Sequence, residues 1–155
     1  KASYFTSFFD KAFVLMLGAK AGTVSAFNRS DDVPVFERYF LGGGDSLRGF
    51  EYRTVGPVRC GENIGGQSML LLTAELSHPI WGPVRGAFFV DAGNVSSNSW
   101  SMSFSDFNIG AGWGLRVKLP QINVPLKLDI AYPFLNNQDN EKNKVRLHFN
   151  VGFTF

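Results

Sequence analysis

The sequence predicts an all-β fold, an antiparallel meander of strands that forms part of a transmembrane β-barrel. Three observations support this prediction. Apolar and polar residues alternate with a period of two over stretches of about ten residues, the length that a tilted membrane-spanning strand needs. Aromatic residues make up 15 % of the 155 positions and charged residues only 18 %. Short turns and long polar loops also alternate between these stretches, as in outer-membrane barrels.

The N-terminal part begins with an aromatic stretch, residues 1–9, that does not alternate cleanly. A tight turn is expected at Asp10 and Lys11, and residues 13–24 alternate well enough to predict a strand. The segment 25–67 is too long for an ordinary connection. We therefore expect it to be a loop with a defined path.

Five more strands are predicted in the C-terminal part, near residues 68–78, 84–95, 107–119, 124–134 and 145–155. The connections expected between them are a proline-rich turn at 78–83, a short turn at 120–123, and polar loops at 96–106 and 135–144. The last three strands alternate most clearly. Phe89 breaks the alternation of its strand, because it puts an aromatic ring on the polar face, and the sequence offers no reason for it.

A soluble β-sandwich, with one sheet face on a core and the other in water, would show the same alternation. The polar faces here combine glycine and small residues with charges, which is typical of a crowded barrel lumen. On the barrel interpretation the apolar face would contact lipid, including Leu115, Leu128, Phe149 and Phe153. The opposite face would line the lumen, including Arg116, Asp129 and His148.

Composition gives no support to several other classes of protein. The formal net charge is only +2, so nothing suggests a nucleic-acid partner. A single cysteine, Cys60, permits neither a disulfide framework nor a cysteine-based metal site. No apolar run is long enough for a transmembrane helix, and no signal-peptide pattern follows Lys1. We expect neither a metal nor a cofactor.

The segment 39–56, with the sequence YFLGGGDSLRGFEYRTVG, carries the most distinctive residues of the long loop. Its three consecutive glycines, at 42–44, allow positive φ angles and close backbone approach. Arg48 lies between Leu47 and Phe50, which suggests a guanidinium held by apolar neighbours and aimed at an acidic partner. The alternative is a solvated arginine in a flexible glycine loop.

The same segment contains the signature of a family of serine esterases, Gly44-Asp45-Ser46-Leu47, in which the serine is the nucleophile. Such a serine needs a histidine base and an acid within hydrogen-bonding distance. The D-x-x-H that supplies them in that family is missing from this sequence, and His78 and His148 lie inside strand-like stretches. We therefore expect no enzyme and assign no catalytic residue.

Several motifs together resemble the BamA-type outer-membrane assembly barrels. That superfamily includes the mitochondrial sorting-and-assembly barrel, the chloroplast import channel and the two-partner secretion translocators. The resemblance rests on GGDSLRGF at 43–50, TVGP at 54–57, GG at 65–66, FFVDAGNV at 88–95 and FNVGFTF at 149–155. It runs from about Phe13 to Phe155. The family usually has Val or Ile where Leu47 stands, but the Arg-Gly-Phe core is intact.

This resemblance implies that residues 1–155 are the C-terminal part of a sixteen-stranded barrel domain, which periplasmic peptide-binding repeats precede in the family. About six to seven of the sixteen strands would then be present. The long loop, at about 25–67, would fold into the lumen. The residues that would lock it there are Leu47, Arg48, Gly49 and Phe50.

The resemblance also implies acidic partners for Arg48, namely Glu75 and Asp91, which match the family's acidic positions. The alternative is that both carboxylates are simply solvated. In a wet lumen an ion pair of this kind would contribute only ~1 kcal/mol.

The last strand would form one side of a seam that pairs weakly with the first strand of the barrel. Gly152 matches the family's kink position, and Phe153 and Phe155 complete this side of the seam. Unpaired backbone groups along such an edge would be a template for an incoming strand.

The implied function is the assembly and insertion of β-barrel proteins in the bacterial outer membrane. The implied partners are the lipid bilayer, unfolded β-barrel clients and accessory assembly lipoproteins. Two alternatives stay open. One is a two-partner secretion or other translocation barrel of the same superfamily. The other, from a different class, is a passive porin, which would have no need of the Arg-Gly-Phe loop.

Overall fold

The computed structural model describes residues 1–10, 12–27, 32–100, 106–118, 125–137 and 143–152. Their principal strands are β1 (Ala2–Phe8), β2 (Phe13–Thr23), β5 (Ser68–Trp81), β6 (Val84–Ser96), β7 (Asn108–Lys118), β8 (Pro125–Leu135) and β9 (Arg146–Val151). The long loop contains a 3-10 turn (Val35–Glu37) and a two-stranded hairpin of β3 (Val58–Arg59) and β4 (Glu62–Asn63). No helix among the described residues is long and apolar enough to cross a membrane.

The seven principal strands form one antiparallel sheet in the order β1-β2-β5-β6-β7-β8-β9. The predicted all-β meander is therefore confirmed. The principal strands follow one another in the sheet in the same order as in the sequence, and the long loop lies between β2 and β5.

Two N-terminal features refine the sequence prediction. The poorly phased stretch is a strand, β1, which pairs with β2 from Ala2 opposite Ala19 to Phe8 opposite Phe13. The tight turn predicted at Asp10 and Lys11 begins one residue earlier, with positive φ angles at Phe9 and Asp10, and Lys11 lies outside the described residues. Exposed aromatic side chains on β1, such as Tyr4 and Phe5, obscure its period because they occupy both faces.

The proline-rich turn predicted at 78–83 is wrong in its extent, because β5 continues to Trp81 and only Gly82 and Pro83 make the turn. Pro79 is tolerated in the strand because the register with β6 shifts between Pro79 and Trp81. In addition, β2 pairs with β5 only as far as Ser77, so Pro79 interrupts no ladder on that side.

The two faces of the sheet differ as predicted. On the outer face, Leu128 and Phe149 are exposed, as are further large apolar residues: Leu72, Leu76, Phe88, Val90, Ile130, Tyr132, Phe134, Leu147 and Val151. On the inner face, Arg116 and Asp129 are buried and His148 is half-buried. Leu115 is half-buried, and Phe153, Phe155 and the turn at 120–123 lie outside the described residues.

The long loop packs on the inner face and closes a hydrophobic core against it. Backbone bridges join Tyr39 to Gly66 and Leu41 to Val55, so the loop has a defined path. The core combines residues of the loop with inward residues of β5 and β6: Leu41, Leu47, Phe50, Val55, Met69, Leu71 and Val95. Burial of each large apolar side chain stabilises the docked loop by roughly 1.5–3 kcal/mol.

Candidate functional site

A tight turn presents the Arg-Gly-Phe motif to the inner face. Gly42 has φ +111°, and a Cβ there would collide with the carbonyl oxygen of Glu51. The Ser46 hydroxyl donates to the Gly42 carbonyl (2.9 Å) and accepts from the Gly42 N–H (3.1 Å). The N–H of Gly43 donates to the carbonyl of Phe50 across the turn. Ser46 therefore has a structural role in the turn, which accounts for the residue without esterase chemistry.

Leu47 and Phe50 are fully buried in the core on either side of Arg48. Gly49 has φ +96°, and its N–H donates to Nε2 of His148 on β9 (3.2 Å). A Cβ on Gly49 would lie 3.1–3.2 Å from the backbone of Tyr132 on β8. The motif thus touches β8 and β9 through its glycine while its apolar residues fix the loop to β5 and β6.

Arg48 binds Asp91 on β6 as a bidentate pair. Nε lies 2.6 Å from Oδ2 and Nη2 lies 2.9 Å from Oδ1, and the backbone N–H of Arg48 also donates to Oδ2 at 3.2 Å. Asp91 is fully buried and Arg48 is only 7 % exposed. The parallel geometry is the strongest that a guanidinium and a carboxylate can adopt.

The same guanidinium contacts two further carboxylates and an aromatic ring. Nη1 lies 2.9 Å from Oε2 of Glu75 and 3.4 Å from Oδ2 of Asp129. Its carbon Cζ lies 3.5 Å from the centroid of the Phe89 ring, a cation–π contact. Phe89, which breaks the alternation of β6, is therefore the platform on which Arg48 stacks.

A second arginine completes the arrangement. From β7, Arg116 donates through Nε to Oε1 of Glu75 (3.1 Å), through Nη2 to Oε2 of Glu75 (2.9 Å), and through Nη1 to Oδ1 of Asp129. Lys127, also buried, lies directly opposite Arg116 in the β7–β8 register. We call the inner-wall residues Glu75, Asp91, Asp129 and Arg116 the anchor socket.

Burial changes the energetics expected for this site. The sequence predicts a wet lumen and a weak ion pair, but Arg48, Glu75 and Asp91 are all buried. Burial alone would lower the pKa of the Arg48 guanidinium, but its hydrogen bonds and charge interactions with Asp91 and Glu75 outweigh this and raise the pKa. Removal of one partner from a buried pair typically costs about 3–5 kcal/mol, because the other charge is left uncompensated.

The structure thus brings together Arg48 and both of its predicted partners, with Leu47 and Phe50 beside them. Gly152 follows β9 and has φ +122°, a conformation that favours glycine. Phe153 and Phe155 lie outside the described residues. Sequence reasoning placed Arg116, Asp129 and His148 on the inner face but did not identify their contacts with the loop or with Glu75.

The arrangement holds the long loop on the inner face of the sheet. Within the described ranges, no cluster of three or more His, Cys, Asp or Glu side chains could hold a metal ion. The charged side chains of the site bind one another instead. Chemically, the site anchors the loop through Arg48 to three strands, β5, β6 and β8. Arg116 of β7 binds two of the same carboxylates.

An antiparallel meander with an apolar outer face, and an inner face that holds a long loop through buried charges, defines part of an outer-membrane β-barrel. The chain belongs to the Omp85 superfamily, since the Omp85 superfamily domain matches residues 1–155. The predicted family is thereby confirmed, and the predicted bacterial outer-membrane location agrees with the BamA proteins among its relatives.

Individual relatives agree with this assignment. The chain is 31 % identical to outer membrane protein assembly factor BamA of Neisseria meningitidis serogroup B, over 94 % of this chain and 22 % of that protein. It is 30 % identical to the chloroplastic outer envelope protein 80 of Arabidopsis thaliana, over 75 % of this chain and 15 % of that protein. The chain thus spans about a fifth of the length of these relatives.

The fold is also similar to a crystal structure of BamA from Haemophilus ducreyi that lacks POTRA domains 1–3. The TM-score is 0.81 at 23 % identity, and the similarity covers 97 % of this chain and 33 % of that one.

Proposed function

We propose that the chain is the C-terminal part of the barrel domain of a factor that assembles and inserts outer-membrane β-barrel proteins. The observation that carries this proposal is the buried bidentate pair of Arg48 and Asp91, which holds the long loop on the inner wall. The names of the BamA relatives give outer-membrane protein assembly as their activity. The clients would be unfolded β-barrel proteins, and the surrounding medium would be the lipid bilayer.

In this proposal the loop is a lock that keeps the lumen side of the sheet in one arrangement. A passive porin needs an open lumen and gains nothing from a loop fixed by buried charges. Here Arg48 joins carboxylates from three strands, β5, β6 and β8, to a single loop residue. The lock therefore resists any change in the relative positions of these strands.

The seam of the proposed assembly factor is the edge of β9. This strand is last in the sheet order and pairs with β8 from Arg146 to Val151. Gly152 turns the chain immediately after it. Edge N–H and C=O groups are costly in hydrocarbon and can be satisfied by an incoming strand, so a client strand would add to the sheet here.

The decisive experiment measures client folding and loop protection in the intact protein, reconstituted in lipid vesicles. Arg48→Ala should slow the folding of a model β-barrel client and make the long loop sensitive to protease, because the buried carboxylates lose their partner. Arg48→Lys should recover only part of both, since an ammonium group cannot make the bidentate pair. Arg59→Ala is the matched control, because Arg59 is an exposed arginine of the same loop.

Two results would argue against the proposal. The first result is that Arg48→Ala folds the client at the normal rate although its long loop is cleaved by protease. The loop lock would then not be needed for assembly. The second result is that neither the wild type nor Arg48→Ala folds the client, while Arg48→Ala increases polypeptide passage or ion conductance. This result would favour a translocation barrel of the same superfamily.

A further inference from the structure

We infer that Arg116 is a positioning residue for the loop anchor: it orients Glu75 and Asp129 so that the socket is ready to receive Arg48. This inference rests on the proposed loop lock and adds to it an arginine that binds the carboxylates of the inner face.

Arg48 and Arg116 share the Glu75 carboxylate. Nη1 of Arg48 and Nη2 of Arg116 each lie 2.9 Å from the same oxygen, Oε2. Two guanidinium groups repel each other, so this approach is stable only while the carboxylate lies between them. All partners of Arg116 in the socket belong to the wall, on β5 and β8. These contacts can therefore form before the loop docks.

The side chain of Arg116 reaches Glu75 over the intervening strand, since β6 separates β5 from β7. Two glycines of β7 leave space beside this path. A Cβ on Gly114 would lie 2.7 Å from Nη1 of Arg116 and would also overlap the Asp129 carboxylate. A Cβ on Gly112 would lie 2.7 Å from the Phe89 ring and would displace it, and this is the ring on which Arg48 stacks. The glycines of β7 therefore leave space on the inner face for both guanidinium groups.

Charge balance gives Arg116 a second effect. The buried charged residues among those that the structure describes are three acids and three bases: Glu75, Asp91, Asp129, Arg48, Arg116 and Lys127. Without the loop, the wall alone carries three acids and two bases, a net charge of −1 that Arg48 neutralises. Without Arg116 the wall would carry −2, and its neighbouring carboxylates would repel each other and turn apart.

The test uses hydrogen exchange of the segment 41–56 in the intact protein, with Arg48→Ala, Arg116→Gln and the double variant. Arg48→Ala should increase loop exchange most. Arg116→Gln should increase it about tenfold, because Glu75 and Asp129 lose their common partner. In the double variant, Arg116→Gln should add less than about twofold, since it acts only through Arg48.

A matched control separates positioning from general stability of the wall. Arg85 is a half-buried arginine of β6 that donates to the Ala12 carbonyl (2.7 Å), outside the socket. Arg85→Gln should leave loop exchange as in the wild type. If Arg116→Gln prevents folding, Arg116→Lys keeps the charge, but its single ammonium group cannot reproduce the guanidinium contacts to both Glu75 and Asp129, and it should give the same dependence on Arg48.

The possible outcomes distinguish this inference from the proposed function. Wild-type loop protection in Arg116→Gln would overturn the inference and leave the lock intact. If Arg116→Gln reduced loop protection equally in the presence and in the absence of Arg48, Arg116 would serve only the stability of the sheet. That result would also overturn the inference. Full protection in Arg48→Ala would overturn the lock itself, and the inference with it.

Discussion

Gly110 offers the most direct test of how closely the loop lies against the wall. This residue of β7 is paired with Asp91 of β6, the main partner of Arg48. A Cβ built on Gly110 would overlap the backbone carbonyl oxygen of Arg48, so Gly110→Ala forces a displacement. The φ angle of Gly110 is outside the left-handed region, so alanine is compatible with the strand itself. The substitution therefore acts on the loop contact alone.

The size of the effect follows from the distances. Ordinary contact for a Cβ begins at 3.4 Å, so the Arg48 backbone would have to retreat by at least about 1 Å. A shift of that size breaks the hydrogen bonds of 2.6 and 2.9 Å between Arg48 and Asp91. Each hydrogen bond to a charged group contributes about 1.5–3 kcal/mol. We expect the docked loop to lose ~3 kcal/mol, which corresponds to a roughly hundredfold increase in its opening equilibrium.

Hydrogen exchange of the segment 41–56 in the intact protein, reconstituted in lipid, measures this opening directly. The matched control is Gly18→Ala on β2, where the nearest atoms to a built Cβ are 3.5 and 3.7 Å away, on the side chains of Met16 and Thr73. Gly18→Ala should change loop exchange by less than about twofold. Equal exchange of the loop in Gly110→Ala and in the wild type would refute the close approach of loop and wall.

The two remaining predictions concern the two faces of the sheet. Leu72→Lys places a charge on the outer face and should make the free energy of membrane insertion less favourable by about 2–4 kcal/mol near the midplane. Thr73→Lys should be tolerated, because residue 73 lines the cavity on the inner face. The yield of membrane-integrated protein measures both effects, and equal yields would contradict a lipid-facing outer surface. His148→Ala should weaken loop docking by about 1–2 kcal/mol, because the Gly49 N–H loses its acceptor. Leu147→Ala, on the exposed face, should leave loop exchange unchanged, and a similar loss in both variants would point to general strand instability.

The parity of the strands could be read from the sequence because side chains in a strand alternate between two faces. This rule predicts that Glu75, Asp91, Arg116 and Asp129 share one face. It also left Phe89 unexplained, since a rule about faces says nothing about what covers them. The ring is on the inner face for a specific reason, which is the guanidinium of Arg48 that stacks on it.

The ends of the elements were harder to predict than their existence. The sequence of β1 has aromatic residues on both faces, and only its pairing with β2 identifies it as a strand. Prolines suggested a wide turn at 78–83, but a register shift lets β5 pass through Pro79. In both cases a neighbouring strand overrides the local signal.

The sequence by itself determined the class of fold, the faces of the strands that alternate clearly, and the importance of Arg48. These follow from local alternation or from a contiguous motif, whereas the two expected acids, Glu75 and Asp91, came from the family resemblance. Only the tertiary structure decided that Arg116 and Asp129 join the same cluster and that the cluster is buried. The physical reason is that strand register and the path of a long loop depend on contacts between residues far apart in the chain, whereas alternation specifies only which face a side chain occupies.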